Sequence, residues 1–246
     1  MTQITLYRDR LRRLMDWDDF LLANSGLPGP RGNLELAQAA AEEGDLERFE
    51  GWLAFTPELA PVNDPHEFLA FCGVVGLGRL AAEGQIDLIG RIRPFASDPR
   101  WRMREGVAMA LQQVGDRDPG LWLEVAGQWA QGSWLEKRAV VAALAEPRLL
   151  KDPQVIPAVL QLFDGITASL LGAKDRKAED FRVLRQALGY GWSVVVAADP
   201  AAGKPRLEHW FVDADPDIQW AMRENLKKNR LKRMDPEWVD RWSEPR

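Results

Sequence analysis

The segment DPRWRMREGVAMALQQV, residues 98–114, decides the fold of this chain because it recurs along the sequence. Asp64 opens an earlier copy 34 residues before Asp98, and Trp134 follows Trp101 after 33 residues. A period in this range is typical of stacked helical hairpins, each of which buries its apolar face only against its neighbours. Four segments align as equivalent helices: 64–80, 98–114, 133–144 and 217–231.

Within residues 101–114 the apolar side chains have the spacing of one helix face, at i, i+4, i+7, i+8 and i+11. We expect Ser97 or Asp98 to cap this helix, with Pro99 at an early position where its missing N–H costs nothing. The same apolar spacing recurs in the copy at 133–144, which predicts that the two helices bury equivalent residues in the core. The residues expected to be buried are Val107, Leu111, Val140 and Leu144.

We predict that the whole chain is all-α and forms a HEAT-like α-α superhelix of about six helical hairpins. We predict a single domain over 1–246, made of an irregular N-terminal helical cap (1–60), the repeats (61–235) and a C-terminal cap (236–246). The β-branched run at 192–198 is predicted to be buried helix. Gly203-Lys204-Pro205 is predicted to be a loop.

Composition favours a soluble globular protein, since 46% of the 246 residues are hydrophobic and 28% are charged. Its apolar stretches are shorter than the roughly 20 residues that a membrane helix needs. The first 20 residues are charged throughout, unlike a secretory signal. The single cysteine, Cys72, cannot form an internal disulfide. We therefore expect a cytoplasmic protein without membrane contact.

Charge is unevenly distributed along this acidic chain, whose net charge is −5. Residues 1–90 contain 7 Lys and Arg against 15 Asp and Glu, whereas 221–233 contain six basic residues against Glu224 alone. Such a run is either a solvated helix face or an edge that binds a polyanion. The overall acidity argues against tight non-specific DNA binding. The basic residues of the run are Arg223, Lys227, Lys228, Arg230, Lys232 and Arg233.

Eleven tryptophans are unusual for a helical stack of this size. Trp101, Trp134 and Trp220 are predicted to occupy equivalent places at helix starts, which indicates repeated packing between hairpins. Other aromatic residues do not follow the repeat. They are candidates for a concave surface where rings stack on a base or hold a peptide. These are Trp122, Trp129, Trp192 and Tyr190.

Sites for metals and cofactors are not predicted. Two histidines, His66 and His209, and one cysteine form no zinc-binding pattern. The glycines at 73–78 do not follow a strand as a dinucleotide-binding turn would. Gly203-Lys204 lacks the glycine spacing and the Ser or Thr of a phosphate-binding loop.

Three segments resemble the HEAT-like DNA alkylation repair family, the AlkD-like glycosylases. WLEKRAVV at 134–141 resembles the family's W-x-x-[RK]-R-x-A helix, RQALGY at 185–190 its K-A-I-G-W helix, and LWLEVA at 121–126 its S-W-W-D-x-V-D segment. The similarity covers roughly residues 60–235. The resemblance implies a helical-repeat fold and contact with DNA.

Site residues follow from this resemblance by position. Trp122 matches the tryptophan of the nucleotide cleft, Lys137 or Arg138 the phosphate-contacting arginine, and Tyr190 the second tryptophan. The family's catalytic aspartate falls on Ala126. Excision of a cationic base develops positive charge on the sugar, which a carboxylate stabilises. Glu124, about 200° away around a helix at ~100° per residue, is the one alternative acid.

The sequence therefore predicts a non-catalytic binding or scaffold module that holds a protein or nucleic-acid partner on the concave face of a solenoid. DNA binding is expected to be weak and salt-dependent. The alternative is a divergent AlkD-like glycosylase that removes alkylated bases. The predicted binding residues are Trp122, Trp134, Lys137, Arg138, Tyr190, Trp192, Arg223, Lys227 and Arg230.

Overall fold

A computed structural model describes residues 2–244; residues 1, 245 and 246, and with them the end of the predicted cap at 236–246, lie outside the described residues. The described chain is helical without any β-strand, which confirms the all-α prediction. It forms two compact units, Met1–Asp118 (unit 1) and Pro119–Arg246 (unit 2). The single domain over 1–246 stays a prediction beside this division. Among residues 2–244 no helix combines the length and apolar character needed to cross a membrane.

Unit 1 builds its core around one long apolar helix, α5. Gly78 lets α7 approach α5 closely, since a Cβ at Gly78 would lie 2.4 Å from the Cα of Ala110. Val107 and Leu111 on α7 are buried, as predicted. The helices are α1 (Gln3–Leu11), α2 (Asp18–Asn24), α3 (Leu34–Glu43), α4 (Leu46–Leu53), α5 (Pro65–Ala82), α6 (Leu88–Ile92) and α7 (Trp101–Arg117), with a 3₁₀ turn at Arg93–Ser97.

The start of α7 differs from the prediction of a cap at Ser97 or Asp98. Arg100 is the N-cap residue, and Trp101 is the first residue of the helix. Asp98 accepts hydrogen bonds from the backbone N–H of Arg100 at 2.7 Å and from its guanidinium at 3.0 and 2.8 Å. Asp98 therefore fixes Arg100 at the cap position and leaves the first turn of the helix without a side-chain cap.

Unit 2 is organised around α11, which packs against both α9 and α13. Val140 and Leu144 on α9 are buried, which confirms that part of the predicted core. The helices are α8 (Pro119–Trp129), α9 (Trp134–Leu144), α10 (Ile156–Ser169), α11 (Glu179–Ala198), α12 (Pro200–Phe211), α13 (Pro216–Leu226), α14 (Asn229–Met234) and α15 (Pro236–Ser243), with 3₁₀ turns at Leu149–Lys151 and Leu170–Gly172.

The run at 192–198 is helical and lies in α11, as predicted. In contrast, Gly203-Lys204-Pro205 is part of helix α12 and not a loop. Gly203 packs directly on α11, where a Cβ would lie 2.7 Å from the Cα of Val196. Helix α12 thus packs closely on α11 at Gly203 and continues through Pro205, which cannot donate a backbone hydrogen bond.

The last predicted copy, residues 217–231, is also divided differently. Asp215 caps α13 by accepting from the N–H groups of Asp217 and Ile218, and α13 ends at Leu226 before α14 begins at Asn229. Trp220 is consequently the fifth residue of its helix, whereas Trp101 and Trp134 are the first residues of α7 and α9. The equivalence of the three tryptophans at helix starts is therefore wrong for Trp220.

Candidate functional site

The aromatic ring of Tyr190, on α11, is the centre of a cationic surface in unit 2. Its side chain is 45% exposed. The Arg230 guanidinium lies 4.6 Å from the ring centroid and donates to the phenol oxygen, and the Lys228 ammonium lies 5.8 Å from the ring. We call the surface formed by Tyr190, Lys228 and Arg230 the Tyr190 face.

Gly189 brings α13 close to α11 beside this ring. A Cβ on Gly189 would lie 3.1 Å from the Cβ of Glu224 and 3.4 Å from Cζ3 of Trp220. The absence of a side chain at Gly189 therefore allows the Trp220 ring to lie against α11. Trp220 is 36% exposed, so part of its ring is accessible.

Buried Asn225 ties the two helices together below the surface. Its amide nitrogen donates to the backbone oxygens of Leu188 and Ala221, both at 2.8 Å, and its oxygen accepts from the N–H of Ser193 at 2.8 Å. The bonds to Leu188 and Ser193 cross from α13 to α11, whereas the bond to Ala221 lies within α13. The two crossing bonds fix α13 against α11, because breaking them would leave buried polar groups unpaired.

Arg185 lies over the Trp220 ring, 4.4 Å from its centroid, and pairs with Asp217. Arg176 binds both Asp217, at 2.8 Å, and Asp215, at 2.6 Å. The hydrogen bond from Arg176 lowers the pKa of Asp215. These carboxylates balance the charges of Arg176 and Arg185, so neither arginine supplies free positive charge to the surface.

Arg176 and Arg185 are paired with carboxylates, but the cations close to Tyr190 are not all paired in this way. Lys227 pairs with Glu224. Within residues 2–244, however, Arg223, Lys228 and Arg230 form no ion pair with a carboxylate. The Tyr190 face therefore combines an exposed aromatic ring with two cations, Lys228 and Arg230, that pair with no carboxylate of the described residues. Arg223 is exposed on the neighbouring helix α13. Phosphate groups and other anions are the natural partners of such a surface.

Trp122 and Trp192, both predicted to bind a ligand, lie in the core of unit 2. Trp192 is fully buried, donates its indole N–H to Thr167 Oγ1 at 3.0 Å and meets the edge of Phe163 at 5.3 Å between centroids. Trp122 is 1% exposed, and its buried Nε1 has no hydrogen-bond partner among the described residues. Neither ring forms part of an accessible surface.

The residues relevant to base excision lie on opposite sides of α8. Ala126, which stands where the resembled family has its aspartate, is buried beside Trp122. Glu124 is exposed and accepts a hydrogen bond from Gln128 at 3.2 Å. The structure thus places no carboxylate of α8 next to Trp122.

A second feature of unit 2 is an open groove of about 970 Å³ along α10, between α8, α9 and α12. Among the predicted binding residues, Lys137 alone belongs to its lining. Lys137 also lies 4.6 Å from the ring centroid of Trp134, and Trp134 meets the edge of Phe181 at 5.6 Å. Arg138 is half-buried on the same helix.

The sequence reasoning missed the polar side of this groove. Asp164 accepts from Trp210 Nε1 at 2.8 Å and pairs with Arg206, and the His209 ring lies 5.0 Å from Trp210. Arg206, His209 and Trp210 share one face of α12, at i, i+3 and i+4. That pattern was detectable, but the predicted loop at Gly203-Lys204-Pro205 cut the helix short and concealed it.

Comparison with protein-family models, with curated proteins and with solved structures finds no match to this chain.

Proposed function

We propose that this protein is a non-catalytic binding module whose second unit holds a nucleic-acid strand on the Tyr190 face. The observation that carries this proposal is the exposed Tyr190 ring with Lys228 and Arg230 beside it, neither of which pairs with a carboxylate in residues 2–244. Surfaces that bind single strands combine aromatic rings, on which bases stack, with cations that contact phosphates. The Tyr190 face has both components within one compact surface.

Binding is weak and strongly dependent on salt, because the rest of the molecule is acidic and repels the phosphates of a nucleic acid. The chain carries a net charge of −5, and unit 1 contains 13 Lys and Arg against 19 Asp and Glu. The attraction is therefore local to the cations of the Tyr190 face. It falls steeply as ionic strength rises, since each neutralised phosphate releases counterions.

The same proposal includes the finer architecture, a HEAT-like solenoid resembling the DNA alkylation repair family. It is supported by the serial packing of helices within each unit, α5 on α7 in unit 1 and α9 on α11 on α13 in unit 2. Leu77, Leu111 and Leu144 coincide when the copies of the repeat are aligned, and each is buried within its own unit, which supports it further. A cytoplasmic location belongs to this proposal, and the lone buried thiol of Cys72 is consistent with a reducing compartment.

The charge requirement is tested by fluorescence anisotropy with labelled single-stranded and duplex oligonucleotides at low and at physiological salt. Reversal of Lys227, Lys228 and Arg230 to Glu is expected to abolish binding. A matched comparison uses Lys228→Gln with Arg230→Gln against Lys232→Gln with Arg233→Gln, two basic residues of the same run. The first pair should weaken binding much more than the second. Absence of binding by the wild type at low salt, or equal losses in the two pairs, contradicts the proposal.

The role of the ring is tested separately. Tyr190→Ala should weaken single-strand binding by about 1–3 kcal/mol, the usual contribution of one stacked base. Tyr190→Phe keeps the ring and removes only the hydroxyl that accepts from Arg230. It should therefore bind nearly as well as the wild type. If both variants bind equally, or if Tyr190→Phe loses as much as Tyr190→Ala, stacking on this ring is not the mode of binding.

A further inference from the structure

The groove along α10 has the dimensions of a site for a short extended peptide. Its lining runs along α10 from Ala158 to Ser169, which is roughly 16 Å at the helical rise of ~1.5 Å per residue. About five residues of extended chain, at ~3.3 Å each, cover this distance. The volume of about 970 Å³ lies at the upper end of the range for small-molecule pockets, roughly 300–1,000 Å³.

The middle of the groove is open. A Cβ on Gly165 would meet no atom within 4 Å, so that this side of α10 faces unoccupied space. Leu123 on α8 and Leu162 on α10 line the groove and are only partly buried. They provide apolar surface that an occupant would remove from water.

Lys137 gives the groove its charge preference. Its ammonium lies over the Trp134 ring, and among the described residues it has no carboxylate within ion-pair distance. Partial burial lowers the pKa of Lys137 because the charged form is poorly solvated. An incoming carboxylate would restore the interactions that this ammonium has lost.

Asp164, the acidic residue in the lining of the groove, does not pair with Lys137 and so leaves it available to a carboxylate of the ligand. One of its oxygens accepts from Trp210 Nε1 at 2.8 Å, and the other pairs with Arg206. Its negative charge is therefore compensated inside the groove. An acidic ligand meets a net positive lining made by Lys137 and the Arg206–Asp164 pair.

We propose that the groove along α10 binds a short extended segment of a partner protein, with an acidic side chain placed against Lys137 and apolar side chains against Leu123 and Leu162. This site is separate from the Tyr190 face and does not depend on the nucleic-acid proposal. The geometry commits to a peptide with mixed acidic and apolar character. A basic segment would meet the Lys137 ammonium, and a purely polar segment would leave Leu123 and Leu162 uncovered.

The test begins with selection of random ten-residue peptides, displayed on phage, against the full chain. An enriched peptide is then synthesised with a fluorescent label, and its affinity is measured by anisotropy. The expected sequences contain an Asp or Glu flanked by apolar residues. Failure to enrich any peptide, or enrichment of sequences without an acidic residue, overturns the proposal.

Gly165→Trp fills the groove with a side chain that enters open space, and it should weaken peptide binding at least about tenfold. Gly51→Trp is the matched control, since Gly51 also faces open space on a helix but belongs to unit 1. Ala168→Trp, at an exposed position of the lining, is a second blocking variant if Gly165→Trp is poorly folded. Undiminished binding by a folded blocking variant contradicts the proposal.

A charge exchange tests the anchoring group. Replacing the acidic residue of the peptide by Lys should weaken binding to the wild type, and Lys137→Glu should restore it. Lack of restoration shows that the acidic residue lies elsewhere. Lys228→Gln with Arg230→Gln should leave peptide affinity unchanged, which separates this site from the Tyr190 face. If sedimentation shows a wild-type dimer that Gly165→Trp converts to a monomer, the occupant is a second copy of the chain and the peptide proposal is wrong.

Discussion

Arg102 on α7 and Glu67 on α5 form an ion pair in the interior of unit 1, with Nη1 of the arginine 3.0 Å from Oε2 of the glutamate. The two side chains are 5% and 0% exposed. Arg102 also donates to the backbone oxygen of Gly29 and to Asn63 Oδ1, while Glu67 accepts from the N–H of Asn63. One buried pair thus connects two helices with two loops.

Loss of either partner should destabilise unit 1 strongly. Arg102→Met leaves the Glu67 carboxylate buried without its cation, and we expect a loss of about 3–5 kcal/mol in the free energy of unfolding. The measurement is urea denaturation followed by circular dichroism. Glu50→Gln breaks the exposed pair with Arg91 and serves as the control, with an expected loss below about 1 kcal/mol. Equal effects of the two substitutions would contradict a buried, structural role for Arg102.

A second prediction follows from the alignment of leucines between copies of the repeat. Leu111 is 2% exposed on α7, so Leu111→Ala should cost roughly 2–5 kcal/mol. Leu6→Ala, at an exposed leucine of α1, is the matched control and should change stability by no more than about 0.5 kcal/mol. A loss below about 1 kcal/mol for Leu111→Ala would mean that the aligned leucines do not share a core position.

Two glycines of unit 2 should respond to alanine in opposite ways. Gly203→Ala forces a Cβ to 2.7 Å from the Cα of Val196, and this overpacking should cost about 1–3 kcal/mol. Gly165→Ala adds a Cβ in open space within α10 and should stabilise the protein by about 0.5–1 kcal/mol. Thermal and urea unfolding of both variants measure the difference. Stabilisation by Gly203→Ala would mean that α12 does not pack on α11 at this point.

Structural features that depend only on neighbouring residues could be predicted from the sequence. The apolar stripe of 101–114 and the helix over 192–198 both follow from local spacing. The start of α13 could not be placed by the repeat alone, because Asp215 and Pro216 begin the helix earlier than the aligned position of Asp217. Local helix-capping chemistry thus overrode the pattern that the other copies share.

In the candidate site, too, individual residues could be predicted from the sequence, but the contacts between distant residues could not. Tyr190 and Arg230 were both predicted as binding residues, yet their contact joins positions 40 residues apart and depends on the packing of α14 against α11. The Arg206–Asp164 pair spans 42 residues in a similar way. Such contacts arise from helix packing and leave no periodic signal in the sequence. Trp122 and Trp192 were selected for departing from the repeat, but aromatic rings also fill a core.

The last prediction concerns catalysis: the protein should release no alkylated base from methylated duplex DNA above the spontaneous rate. Excision of a cationic base builds positive charge on the sugar, and the rate depends on a carboxylate held close to it. Ala126 is buried and carries no charge, and Glu124 lies exposed on the other side of α8, bonded to Gln128. Attraction of a cationic base to an aromatic ring, about 0.5–2 kcal/mol, acts on the ground state as well and so does not lower the barrier by itself. The assay measures 3-methyladenine and 7-methylguanine released by the wild type and by Glu124→Gln. Release above the protein-free control would contradict this prediction, and its loss in Glu124→Gln would identify Glu124 as the acid of a divergent glycosylase.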